Sequence, residues 1–100
     1  MPNARTTHRA AALEARLWVL TDRYNATVYG DMTAVSVTPT DKGIIVVRAN
    51  FTDGAVEEWF FGPEYNAYAM RDEVKRLVDK KCAEIRKARH DAAEAAKLAE

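Results

Sequence analysis

After Pro63 this chain of 100 residues contains no glycine and no proline. A helix that starts with Pro63 in its first turn and Glu64 at its positive end has nothing to stop it before the C-terminus. It would run from about residue 64 to 98, ~36 residues and ~54 Å at 1.5 Å per residue. A compact domain of this length is only ~30 Å across. The helix must therefore bend, protrude, or pack on a second copy. Its apolar residues divide it in two. Met70, Val74, Leu77, Val78, Cys82 and Ile85 fall within an arc of ~140°. Beyond Ile85 the stripe is almost all alanine, with Leu98. Alanine propagates a helix but buries little area. The end after about residue 86 reads as a weakly packed extension.

The N-terminal part is a second helix, expected over residues 7–24. Ala10, Leu13, Leu17, Leu20 and Tyr24 recur at steps of three and four, which makes one face. A hydroxyl of Thr6 or Thr7 is suited to cap its start. Between the helices the period changes to two. "MTAVSVT" alternates, "GIIVVRANF" is rich in β-branched residues, and "AVEEWFF" returns after "TDG". Asp53-Gly54 is a strong hairpin signal, because glycine supplies positive φ without steric cost. Gly30-Asp31 reads as a further turn or a bulge, giving three main strands or four within residues 26–61. The class is α+β: helix, three- to four-stranded antiparallel sheet, long C-terminal helix, in α-β-β-β-α order. It forms one two-layer domain over residues 1–100.

Trp59-Phe60-Phe61 must split between the two faces of the last strand. A two-residue turn at Asp53-Gly54 pairs Phe51 with Val56, Ala49 with Glu58 and Val47 with Phe60. Phe60 then joins Ile45, Val47, Ala49 and Phe51 on a core face. Trp59 and Phe61 fall on the other face with Arg48 and Glu57, and Trp59 lies opposite Arg48 at cation–π range. Arg48, Glu57, Trp59 and Phe61 are the expected partner-binding residues, since Trp and Arg are enriched at interface hot spots.

Several chemistries have no support in the pattern. Cys82 and His90 are eight residues apart on one helix, ~12 Å along its axis, beyond the reach of a nucleophile and its base. His90 and Glu94 are too few to hold a metal. The four glycines are dispersed as turn residues, with no phosphate-binding loop. Glu57 and Glu58 point to opposite faces and form no acid–base dyad. The expectation is a chain that is not an enzyme and binds no cofactor. No apolar run approaches the ~20 residues of a membrane span, and the N-terminus lacks a signal-peptide core, so a cytoplasmic location is expected.

Net charge is zero, but it is unevenly distributed. Residues 71–90 carry eight basic and four acidic groups, while residues 91–100 carry Lys97 against Asp91, Glu94 and Glu100. The basic set Arg71, Lys75, Arg76, Lys80, Lys81, Arg86, Lys87 and Arg89 is the alternative, nucleic-acid-binding surface. Pairs such as Asp72–Arg76, Lys80–Glu84 and Lys87–Asp91 would make it an ordinary solvated helix surface. Lys81 lies within the apolar arc and must snorkel or meet an acid. The element order is similar to that of a double-stranded RNA-binding domain, and "DKKCAEIRKA" is similar to that family's second-helix lysine motif. In the family the lysines open the helix; here Lys80 and Lys81 fall some four turns in. The resemblance therefore carries no function onto these residues.

By elimination the sequence points to a small protein-binding module. Small phage or mobile-element inhibitors and adaptors of a host complex are of this kind. A nucleic-acid-binding domain and a homo-oligomeric small-ligand-binding domain are the alternatives. The expected partner is another protein or, as a homodimer, a second copy.

Overall fold

The computed structural model describes residues 1–17 and 30–99. In chain order these form α1 (Ala4–Leu17), β1 (Met32–Pro39), β2 (Ile45–Phe51), β3 (Val56–Phe61) and α2 (Ala67–Ala99). The class is α+β, in α-β-β-β-α order. The expected continuation of the first helix over 18–24, and any strand over 26–29, lie outside the described residues.

Both helices are capped by asparagine. The Asn3 side chain accepts from Thr6 N–H at 2.8 Å, and Asn66 accepts from Ala69 N–H at 2.8 Å. Asparagine capping corrects both expected starts. Helix α1 begins before Thr6 and Thr7, and Thr6 is itself buried. Helix α2 begins after Pro63, which sits in the preceding turn, where Tyr65 N–H reaches the Gly62 carbonyl.

The three strands form an antiparallel meander in the order β1-β2-β3. The β2–β3 register differs from that of a two-residue turn. Val47 pairs with Trp59, Arg48 with Glu58 and Ala49 with Glu57. The loop has three residues, Thr52-Asp53-Gly54. Gly54 N–H returns to the Phe51 carbonyl and Phe51 N–H to the Ala55 carbonyl, both at 3.0 Å. Gly54 has φ 86°, the left-handed residue that a three-residue hairpin requires. The Asp53 carboxylate fixes this geometry by accepting from Ala55 N–H at 2.9 Å. A slip of one residue moves every β3 side chain to the opposite face. Trp59 and Phe61 therefore turn toward the helices, and Phe60 turns away. Burial agrees: Phe61 is 3% exposed and Phe60 65%.

One face of the sheet and the two helices enclose the core. It contains Ile45, Val47, Ala49, Phe51 and Phe61 from the strands, Leu13 and Leu17 from α1, and Met70, Val74, Val78, Cys82 and Ile85 from α2. Met32 joins through β1, where a bulge between Met32 and Ala34 leaves Thr33 extra. The Gly30-Asp31 turn rests directly on α2. Asp31 N–H meets Cys82 Sγ at 3.4 Å, and a Cβ at Gly30 would stand 3.2 Å from that sulfur.

Buried residues of α2 end at Ile85. The helix continues to Ala99 with every described side chain exposed. This extension gives the molecule its 60 × 28 × 20 Å outline. No helix among the described residues is long and apolar enough to cross a membrane.

Candidate interaction surface

The face of the sheet away from the helices is set by the cross-strand pairs. Three rows cross it: Ala34–Asn50–Val56, Ser36–Arg48–Glu58 and Thr38–Val46–Phe60. Nothing covers it. Phe60 is 65% exposed and Val56 47%, and only Val46 is half-buried. Antiparallel sheets commonly leave one face to water, and such faces alternate to polar residues. This one keeps a phenyl ring and two valines around an opposed Arg48 and Glu58. It is small-sided along β1 and bulky along β3.

The four residues expected to bind a partner do not share a face. Arg48 lies on the open face, opposite Glu58 rather than Trp59. Glu57, Trp59 and Phe61 lie on the helix side. Phe61 is core, with its ring edge-on to Tyr65 at 5.2 Å. Trp59 is half-buried and packs against the core. Glu57 lies in a groove beside Lys80 and Lys81. These lysines give the inward glutamate a reason to be tolerated. They stabilise the observed register, whereas the two-residue turn would have aimed Glu58 inward. Val46, Val56, Glu58 and Phe60 are the surface residues the sequence reading missed. Glu57 with Lys80 and Lys81 is the signal that would have found them.

The basic surface of α2 is largely neutralised within the chain. Arg71 pairs with Asp72 at 3.3 Å, Lys75 with Asp79 at 2.7 Å, Arg76 with Glu73 at 2.5 Å and Lys87 with Asp91 at 3.4 Å. Arg76 thus takes Glu73 in place of the expected Asp72. Hydrogen bonding between them lowers the Glu73 pKa and raises that of Arg76. Two further cations tie the helix to the body. Lys81 meets Asp53 at 3.1 Å, and Arg89 meets Asp31 at 2.8 Å and the Thr52 hydroxyl at 2.9 Å. The Asp53 carboxyl is held below its ordinary value, first by the Ala55 N–H and then by Lys81. Lys81 is held above its own, first by its hydrogen bond to Asp53. Only Lys80 and Arg86 of the eight are in no ion pair among the described residues.

A second basic region lines α1. Arg5, His8 and Arg9 face Pro63, Glu64 and Tyr65 across an open groove of about 490 Å³. Arg9 is committed to structure there. Its guanidinium donates to the carbonyls of Gly43 at 3.3 Å, Gly62 at 2.8 Å and Tyr65, fastening the β1–β2 and β3–α2 loops to α1. Arg16 lies over the Tyr68 ring at 4.2 Å. Among the described residues no group of three or more His, Cys, Asp or Glu is placed to hold a metal ion.

No family model matches the chain, and no curated protein or solved structure is significantly similar to it.

Proposed function

We propose that the chain is a non-catalytic protein-binding module whose partner docks on the open face of the sheet. The carrying observation is Phe60, 65% exposed and flanked by Val46 at the apolar end of an uncovered sheet face. An aromatic anchor beside an arginine is the usual composition of an interface hot spot. The face is flat and mixed, suited to another protein surface rather than to a small molecule, which favours concave sites. The inhibitor or adaptor role belongs to this same reading. Nucleic-acid binding has less in its favour, because most of the cations it needs are engaged with acids of this chain. A nuclease-treated pull-down from the source cell's lysate tests the proposal, with wild type beside Phe60→Ser. A protein that follows the wild type and is lost with a folded Phe60→Ser variant supports it. Equal recovery by both moves binding away from the sheet.

A further inference from the structure

We infer that the groove between α1 and the β3–α2 loop binds an acidic peptide segment of another protein. This inference goes beyond the sheet-face reading and does not rest on it. It starts from where positive charge is left uncancelled. Arg5, His8, Arg9, Ala12 and Arg16 follow at steps of three and four, within an arc of ~100° on α1. Glu14 is the one acid of this helix and falls on the opposite side. No residue of the stripe is in an ion pair among the described residues, whereas most cations of α2 are. Arg9 is half-buried and donates only to carbonyls, so its charge is fixed in place without a counter-ion. Such a cleft draws anions.

The opposite wall says which kind of anion. It presents Tyr65 and Tyr68, 38% and 66% exposed, with Pro63 beside them. Arg16 lies over the Tyr68 ring at the far end of the stripe. Glu64 is the single acid on this wall. Its carboxylate folds back over Gly62 and meets none of the arginines. Separated cations beside apolar rings match carboxylates spaced by apolar side chains. Arginine suits them, since its planar fork takes a carboxylate with two parallel bonds. From Arg5 to Arg16 the stripe is ~16 Å long, about five residues of extended chain. A strand of nucleic acid fits less well. It carries a charge at every nucleotide and would pass Glu64, and the α2 cations that could prolong the track are mostly paired with acids.

Fluorescence anisotropy of a labelled peptide that alternates glutamate with leucine, titrated with the full chain at low salt, tests this. The peptide is expected to bind, and its counterpart with lysine in place of glutamate is not. Arg5→Glu is expected to weaken binding ~tenfold or more. It does not lower the melting temperature, because Arg5 is exposed and an acid suits the first turn of a helix. Arg86→Glu makes the same change of net charge on α2, and Arg48→Glu makes it on the open sheet face. Both are expected to bind the peptide as wild type does. No binding of the acidic peptide by wild type overturns the inference. So does an equal loss with Arg86→Glu, which would show a response to net charge alone. A loss with Arg48→Glu but not with Arg5→Glu moves the peptide to the sheet. Oligothymidylate that binds more tightly than the peptide, and is lost with Arg5→Glu, assigns the groove to nucleic acid instead.

Discussion

Trp59 and Phe60 are neighbours in the chain and live in different environments. The indole is half-buried under α2, while the phenyl ring of Phe60 stands in the open. The two faces of the sheet differ in the same way along all three strands. The helix side is Ile45, Val47, Ala49, Phe51 and Phe61; the open side is Val46, Arg48, Asn50, Val56, Glu58 and Phe60. Both sides contain aromatic and branched residues, so composition alone does not tell cover from exposure. What separates them is one residue of register, fixed at the hairpin.

The sharpest break between the faces is expected from truncating the two phenylalanines. Phe61→Ala removes a core ring and should lower unfolding free energy by ~3–5 kcal/mol. Phe60→Ala should change it by no more than ~0.5 kcal/mol, as surface substitutions do. Chemical denaturation of the two variants reads the contrast directly. Equal losses would mean that the open face is covered in solution.

Much of the fold is legible in the sequence, and the register is not. The stripe from Met70 to Ile85 is long and periodic, so it marks the packed part of α2. Lys81 in that stripe must snorkel or meet an acid, and it meets Asp53. The Asp53-Gly54 pair is less informative. It serves a two-residue loop and, with Thr52, a three-residue loop equally well, because both need a left-handed glycine. The choice depends on contacts outside the turn: Glu57 beside Lys80 and Lys81, and Phe61 against Tyr65. The candidate surface inherits that ambiguity. Of the four residues first expected on it, only Arg48 is there.

Two smaller effects probe what holds the covered side together. Arg9→Ala leaves the Gly43, Gly62 and Tyr65 carbonyls without their shared donor, two of them on the loop that leads into α2. The expected loss is ~1–3 kcal/mol, the cost of abandoned hydrogen-bonding partners. Arg9→Lys should not restore it, since one ammonium does not reproduce a planar fork that reaches three carbonyls. Gly54→Ala forces a Cβ into φ 86° with open space around it, so the penalty is conformational alone, ~1–2 kcal/mol. Amide exchange faster at the hairpin than in α1 would show that this penalty is local to the register-setting turn.

The smallest effect, and the one most specific to the turn, is its pH dependence. Asp53 is depressed below 3.8 in the folded chain, first by the Ala55 N–H and then by Lys81. A depressed carboxylate contributes stability that is fully present above its unfolded value and is lost as pH falls through the folded one. Lys81, raised above 10.5, has the opposite sign: its share is present below 10.5 and is lost as pH rises through the higher folded value. Asp53→Asn keeps an oxygen for Ala55 N–H but removes the charge that Lys81 meets. The melting temperatures of wild type and Asp53→Asn should therefore differ near neutral pH. They should converge in acid, once pH falls below the depressed folded value, where the wild-type carboxyl is protonated in the folded chain too. A difference that persists unchanged into acid would mean that the Asp53 carboxylate does not anchor the hairpin to α2 through its charge, and would leave the three-residue loop to be held by its backbone hydrogen bonds.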